Sequence, residues 1–272
     1  MTTGETSPTV ESLTALFRPG EPIPPLVLLK AGSKSPPIFM THGIGDTVLG
    51  LFSLSNHVRS EHRIYGLQAR GCDGLEGPLD RIEDMADFHL AAVRETQPHG
   101  PYILIGYSFG GLIALEMARR LSRDREKIAL LAMLDSYPDR RQIALGQQAR
   151  LVFRLAMTRA SWFRRRRGSE NLSQVDQSLA RAFQRVKDSQ YHALRNYRPQ
   201  FYDGKINFVR AEISSFFPAN AAAVWSHLAR EFEIENLPCS HLELLTSQAE
   251  RLAAFLSRLL NALPSEGALS GK

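Results

Sequence analysis

The sequence predicts an α/β fold in which a mostly parallel central sheet is flanked by helices. Three features of the 272-residue chain lead to this prediction. Short apolar runs with the composition of strands alternate with longer helical patterns. A glycine-rich turn joins one of these strands directly to a helix, and residues 139–202 interrupt the alternation with helical patterns alone. Strands that alternate with helices imply parallel pairing through right-handed crossovers.

Seven segments have the pattern of strands, because each is short, rich in β-branched or aromatic residues and closed by turn-forming residues. In chain order they are PLVLLKAG, PPIFMTHG, RIYGLQARG, PYILIGYS, KIALLAMLDS, KINFVRAE and FEIENL. Helical periodicity fills the gaps in IEDMADFHLAAVRETQ and FGGLIALEMARRLSRD, and it returns in the final HLELLTSQAERLAAFLSRLLNAL. We therefore expect one α/β domain over residues 26–264, between a flexible N-terminal tail or linker (1–25) and a C-terminal tail (265–272).

The interruption at residues 139–202 contains two helical patterns with no strand between them. They are RQIALGQQARLVFRLAMTRASWF and LSQVDQSLARAFQRVKDSQYHALRNY. We interpret this stretch as a helical lid inserted between two strands of the sheet.

Charge is unevenly distributed along the chain. The formal net charge is +5, but the segment from Arg140 to Arg167 holds nine arginines and no acidic residue, so the remainder carries −4. The basic character therefore belongs to one segment, which argues against a nucleic-acid-binding surface over the whole chain.

Composition also limits the classes of cofactor and compartment. The two cysteines, Cys72 and Cys239, have neither metal-binding spacing nor a disulfide framework. No apolar run reaches the roughly 18 residues of a membrane span, and the N-terminus lacks the pattern of a signal peptide. We expect a cytoplasmic protein with no bound metal or cofactor and no membrane span, and we leave its oligomeric state open.

Ser108 lies in the turn between a predicted strand and a predicted helix. Gly106-Tyr107-Ser108-Phe109-Gly110 is a G-x-S-x-G sequence, the nucleophile elbow of α/β-hydrolases. Glycine is needed on both sides because the turn is so sharp that larger side chains would collide. The serine hydroxyl is then exposed above the sheet, near a helix N-terminus that favours negative charge.

A nucleophilic serine needs a base, which in α/β-hydrolases follows the acid in the chain. This order leaves His192, His227 and His241. His192 falls within the insertion, and His227 within the helix-like ANAAAVWSHLARE. His241 follows the last predicted strand in a Pro-Cys-Ser turn, from which it can reach the elbow, so we predict His241 as the base.

The residues alone leave two candidates for the acid that orients the base. Asp135 and Glu212 each end a predicted strand at the carboxyl edge of the sheet, where ligands of such sheets gather.

The predicted strand PPIFMTHG leads into His42-Gly43-Ile44-Gly45, which places backbone amides beside the elbow. The N–H groups of Ile44 and Phe109 would together form an oxyanion hole.

The segments PPIFMTHGIGDTV, RIYGLQARG, GPYILIGYSFGGLIALEMARRL, ALLAMLDSYP and LPCSHLELL together resemble the thioesterase domains of polyketide synthases and nonribosomal peptide synthetases. The resemblance covers about residues 26 to 260. It implies an α/β-hydrolase fold with a helical lid, and it favours Asp135 over Glu212 as the acid. Pro-Cys-Ser-His departs from the Pro-Gly-x-His often found in such domains, so Cys239 stands where a glycine is common. No carrier-protein or adenylation motif precedes residue 26, which favours a free-standing enzyme or an excised terminal domain.

The resemblance also implies a reaction and a partner. Ser108 would take an acyl, polyketide or peptidyl group from a phosphopantetheine thioester, and water, an internal hydroxyl or an amine would then release it. An acidic carrier protein would dock on the lid arginines Arg164, Arg165, Arg166 and Arg167. The alternatives are a carboxylesterase or lipase-like hydrolase, a non-catalytic binding protein of the same fold, and a nucleic-acid or membrane-surface role resting on the arginine run alone.

Overall fold

The fold is built around a seven-stranded sheet in the order β1-β3-β2-β4-β5-β6-β7. It is seen in a computed structural model that describes residues 6–18, 21–138, 174–213 and 220–264. Neighbouring strands pair in parallel except β1 and β3, which are antiparallel. The strands are β1 Leu26–Lys30, β2 Lys34–Thr41, β3 His62–Leu67, β4 Tyr102–Tyr107, β5 Ile128–Leu134, β6 Tyr202–Ala211 and β7 Ala229–Leu237.

Helices cover both faces of this sheet. One hydrophobic cluster packs α3, α4 and α6 against one face, and a second packs α1, α2 and α7 against the other. All six residues of the central strand β4 are buried, as expected for a parallel strand covered on both sides. The described helices are α1 Val10–Thr14, α2 Phe52–His57, α3 Ile82–Thr96, α4 Phe109–Arg123, α5 Gln174–Asn196, α6 Ala221–Trp225 and α7 Ala249–Asn261, with 3₁₀ turns at Val48–Leu51 and Leu242–Leu245.

The mostly parallel sheet confirms the predicted fold class, and each of the seven predicted strands overlaps an observed one. One helical interpretation was wrong. In ANAAAVWSHLARE only Ala221–Trp225 is helical, and the strand β7 begins at Ala229. As the last strand in the sheet order, β7 exposes most of its residues, so its polar beginning lacks the apolar pattern that marks a buried strand.

The segment predicted as an N-terminal tail contains packed structure. Thr9 caps the short helix α1, and Leu13 is only 2% exposed where it joins the core. The Phe17 ring lies 6.1 Å from the ring of Phe183 on α5. Residues 13–17 therefore differ from a free tail, because Leu13, Leu16 and Phe17 pack against the domain.

The insertion is described only in its second half. Helix α5 coincides with the second helical pattern, whereas residues 139–173, including Arg164–Arg167, lie outside the described residues. Over the described ranges, no helix has both the length and the apolar character that a membrane crossing requires.

Candidate active site

Ser108 stands at a strained turn between β4 and α4. Its φ of 54° and ψ of −121° are unusual for a residue with a side chain. A Cβ atom on Gly106 would lie 2.3 Å from the Gly110 carbonyl oxygen, and one on Gly110 would lie 2.5 Å from the His42 carbonyl oxygen. The turn therefore requires glycine on both sides of the serine. Its backbone is held by a 2.8 Å hydrogen bond from the Ser108 N–H to the Leu134 carbonyl.

His241 reaches Ser108 from the loop that follows β7. Its Nε2 lies 3.0 Å from the Ser108 Oγ, and its Nδ1 lies 2.8 Å from the Asp135 Oδ2. The carboxylate can only accept, so Nδ1 donates and Nε2 of the neutral ring is left to accept from the serine. The ring stacks on Tyr107 at 4.9 Å, and the Tyr107 hydroxyl donates to the His241 carbonyl at 2.9 Å.

Asp135 is fully buried directly after β5. Its N–H donates to the Val209 carbonyl at 2.7 Å, and its Oδ1 accepts from the Ala211 N–H at 3.2 Å, so β6 holds both its backbone and its side chain. Glu212 directly follows the same strand and has an exposed side chain. Of the two carboxylates that the residues left open, Asp135 is the one in contact with His241.

The other two histidine candidates lie at the surface. His192 is exposed on α5, where its Nε2 lies 2.8 Å from the Asn196 side-chain nitrogen. His227 is exposed in the turn between α6 and β7. The structure brings Ser108, Asp135 and His241 together and leaves these two histidines apart from them.

The loop after β2 runs beside the serine. A Cβ atom on Gly43 would lie 3.5 Å from the Ser108 Cβ, and the Asp46 N–H donates to the Gly43 carbonyl at 3.3 Å to close a turn around Ile44 and Gly45. Phe109 is the first residue of α4, so its N–H has no acceptor within the helix. The proposed oxyanion donors thus lie on two segments that meet at Ser108.

His42 forms hydrogen bonds that hold this loop. Its Nδ1 lies 2.9 Å from the Gly43 carbonyl oxygen, and the Ala69 N–H donates to its Nε2 at 3.3 Å. These contacts suit a neutral ring with its proton on Nδ1. Burial lowers the pKa of His42, which favours the same neutral form.

The cysteines take no part in this hydrogen-bonded chain. Both are buried with free thiols, and burial raises the pKa of Cys72 to about 12 and that of Cys239 to about 11. Among the described residues, no group of three or more His, Cys, Asp or Glu side chains is arranged to hold a metal ion.

Sequence reasoning missed the contacts of Tyr107 and Gln190. Tyr107 was visible only as a variable position of the elbow, although its ring and hydroxyl both contact His241. Gln190 is 2% exposed on α5 and accepts from the Gly45 N–H at 2.8 Å. Its position on the buried face of an amphipathic helix is the only signal that the sequence offers.

The strand order, with helices on both faces and the serine at the turn after the central strand, places the protein in the α/β-hydrolase fold class. Residues 36–260 match the family model described as thioesterase domain, and the chain belongs to this family.

Relatives of known name are large synthetases. The chain is 30% identical over 222 residues to the malpibaldin synthetase of Mortierella alpina, which covers 79% of this chain and 4% of the synthetase. It is 28% identical over 248 residues to the dimodular nonribosomal peptide synthase of Bacillus subtilis, which covers 84% of this chain and 10% of the synthase. The chain therefore spans only a small part of these relatives.

Solved structures show the same fold at low identity. The four-domain nonribosomal peptide synthetase AB3403, bound to AMP and glycine, aligns with a TM-score of 0.69 at 21% identity, over 88% of this chain and 20% of that one. The NocB thioesterase domain, in covalent complex with a fluorophosphonate nocardicin G analog, aligns with a TM-score of 0.63 at 20% identity, over 84% and 95% of the two chains.

Proposed function

We propose that this thioesterase cleaves an acyl, polyketide or peptidyl thioester from a phosphopantetheine carrier through an acyl-enzyme on Ser108. The observation that supports this most directly is the continuous chain of contacts from Asp135 through His241 to the Ser108 hydroxyl, with lengths of 2.8 and 3.0 Å. The same contact geometry underlies nucleophilic serine chemistry on unrelated folds.

In the first half of the reaction His241 Nε2 takes the Ser108 proton while Oγ forms a bond to the thioester carbonyl carbon. Asp135 stabilises the imidazolium that results. The tetrahedral intermediate collapses with loss of the thiol, which receives the proton from His241. In the second half, water or an internal hydroxyl or amine gives its proton to His241 as it bonds to the acyl carbon. The bond from that carbon to Ser108 Oγ then breaks, and Oγ takes the proton back from His241. Attack by water is hydrolysis, and attack by an internal hydroxyl or amine is cyclisation.

The carbonyl oxygen gains negative charge in both halves. We assign its stabilisation to the N–H groups of Ile44 and Phe109, because the loop of the first and the helix start of the second meet beside Ser108. Donors fixed in advance act most strongly where water is excluded, and the loss of one such donor costs about 10² to 10³ in kcat in a well-studied protease.

We propose a carrier-bound substrate because the matching region of the synthetase relatives lies within much longer chains. We assign docking of an acidic carrier, and of the phosphate on its arm, to the arginines Arg164–Arg167, because guanidinium groups bind phosphate bidentately. We propose a cytoplasmic location, because both cysteines carry free thiols.

The central test is intact-mass measurement of the protein after incubation with a panel of acyl thioesters. Wild type should gain the mass of one acyl group, and Ser108→Ala should gain none while it unfolds at the same temperature. His241→Ala should slow acylation comparably, whereas the surface substitutions His192→Ala and His227→Ala should leave it unchanged. An adduct that persists in Ser108→Ala would place the nucleophile elsewhere.

Two comparisons test the finer parts of the proposal. Matched thioester and oxygen-ester substrates separate a thioesterase from a carboxylesterase, because both would use the same three side chains. For the carrier, replacement of Arg164–Arg167 by glutamine should raise KM for a carrier-bound substrate and leave small thioesters unaffected. Turnover of the carrier-bound substrate should also fall with salt, since exposed charges are screened beyond about 8 Å at physiological ionic strength. Equal salt dependence for both substrates would contradict arginine docking.

A further inference from the structure

A buried polar side chain of helix α5, Gln190, contacts the loop that follows β2 beside Ser108. Gln190 is 2% exposed and lies on the face of α5 that also buries Val186 and Ala193. Its side-chain oxygen accepts the Gly45 N–H at 2.8 Å, across 145 positions of the chain. A buried amide is costly unless it is hydrogen-bonded, so this contact fixes where the side chain points.

Gly45 occupies a position that favours glycine. Its φ of +68° is the geometry of the third residue in a turn where glycine is preferred, and the Asp46 N–H to Gly43 carbonyl bond closes that turn. A Cβ atom on Gly45 would lie 2.9 Å from the Lys187 Cδ, so α5 packs closely against the turn. Lys187 and Gln190 are one helical turn apart, and the same face of α5 makes both contacts.

Two side chains therefore hold the Gly43–Asp46 turn. His42 binds the carbonyl of Gly43, the first residue of the turn, and Gln190 binds the N–H of Gly45, the third residue. Ile44 lies between these two anchors. Because the Gln190 contact fixes the plane of the Ile44–Gly45 peptide, it also restricts the backbone rotation that would turn the neighbouring Ile44 N–H away.

We propose that Gln190 is a positioning residue that holds the Ile44 N–H towards the oxygen that becomes negative in the tetrahedral intermediate. This inference rests on the proposed acyl transfer at Ser108. Gln190 itself touches no reacting atom. Its effect arises because a donor aligned before the reaction needs no reorganisation when the charge develops.

The test compares Gln190→Met, which keeps the length of the side chain and removes the acceptor, with Ser189→Ala on the same helix. Ser189 donates at 2.7 Å to the Leu79 carbonyl, so the control also removes one hydrogen bond of α5 but leaves the Gly43–Asp46 turn intact. Three quantities are measured for a small thioester: kcat, KM and the inhibition constant of a boronic acid, whose tetrahedral adduct on Ser108 mimics the intermediate.

For Gln190→Met, kcat should fall about 10- to 100-fold, less than for full removal of an oxyanion donor, with KM within about twofold of wild type. Boronate affinity should weaken by a similar factor. Ser189→Ala should retain wild-type kcat and boronate affinity. Gln190→Leu serves as a second variant without an acceptor if Gln190→Met does not fold, as judged by urea unfolding.

Unchanged kcat and boronate affinity in the folded Gln190 variants would overturn the inference, as would equal losses in Ser189→Ala. A rise in KM at constant kcat would also overturn it, because that result indicates altered substrate binding. These outcomes differ from failure of the proposed function, in which wild type itself would form no covalent adduct at Ser108 with either the thioester or the boronic acid.

Discussion

Replacement of Asp135 by asparagine tests the proposed hydrogen-bonded chain, because each oxygen of this carboxylate faces a different donor. Its Oδ2 faces the Nδ1 of His241 at 2.8 Å, and its Oδ1 faces the Ala211 N–H at 3.2 Å. An asparagine side chain has one accepting oxygen and one donating nitrogen. It can therefore satisfy only one of the two contacts at this fully buried position.

Each orientation of the amide carries a penalty. With its oxygen on Ala211, the amide nitrogen donates to His241 Nδ1, which forces the ring proton onto Nε2 and prevents acceptance of the Ser108 proton. The reverse orientation keeps the working tautomer but sets two donors against each other at Ala211, at a cost of about 1–3 kcal/mol. The charge that stabilises the imidazolium is lost in both. Together we expect a fall in kcat of about 10⁴, the magnitude known for the equivalent amide in a serine protease, or about 5.4 kcal/mol.

The assay is single-turnover acylation with a chromogenic small thioester, run beside urea unfolding to show that the variant is folded. Glu212→Gln is the matched control, since this exposed carboxylate directly follows the neighbouring strand β6, and the rate of the variant should stay within about twofold of wild type. An Asp135→Asn rate within tenfold of wild type, or a larger loss in Glu212→Gln, would refute the role assigned to Asp135.

Two further predictions concern packing and pH. Gly110→Ala should destabilise the fold by at least about 1–3 kcal/mol in urea unfolding, since its Cβ would lie 2.5 Å from the Thr41 and His42 carbonyl oxygens; an unchanged midpoint would contradict the packing of the elbow. Burial lowers the pKa of His89 from its ordinary 6.5 to about 3. Between these two values the unfolded chain binds a proton that the folded chain does not. The free energy of unfolding therefore falls by up to about 1.4 kcal/mol for each pH unit from pH 6.5 towards pH 3. His89→Gln should remove that part of the pH dependence, which unfolding curves from pH 7 to 4 measure against His57→Gln at an exposed position; the same slope in both variants would contradict the assignment.

Local pattern was sufficient to predict the strands and the elbow. The apolar run before Ser108 and the glycines around it determine a strand, a sharp turn and a helix within seventeen residues, so no distant contact was needed to find them. Local pattern failed where an exposed edge had to be distinguished from a helix, as in the first residues of β7. Alternation is weak there because most of that strand faces solvent.

The acid illustrates what the residues alone left undecided. Asp135 and Glu212 each directly follow a strand at the same edge of the sheet, so their positions relative to the predicted strands do not separate them. They differ only after the strands are ordered, because Asp135 is then enclosed between β6 and the loop of His241, whereas Glu212 faces solvent. The contact from Gln190 to Gly45 is of the same kind, since no local rule links residues so far apart.

The backbone ladder of the sheet continues one residue past β4 and β5, to Ser108 and to Asp135, whose φ of 48° is also unusual for a residue with a side chain. The Ser108 N–H donates to the carbonyl of Leu134, and the Asp135 N–H donates to the carbonyl of Val209, so the proposed nucleophile and acid follow adjacent strands of the sheet. The backbones of Ser108 and Asp135 are therefore one strand spacing apart, about 4.8 Å. The sheet sets this distance, so it does not depend on loop conformation. A chimaera that exchanges residues 139–173 for those of another thioesterase should therefore keep this distance and, because Gln190 lies outside the exchanged segment, also the hydrogen bond from Gly45 to Gln190.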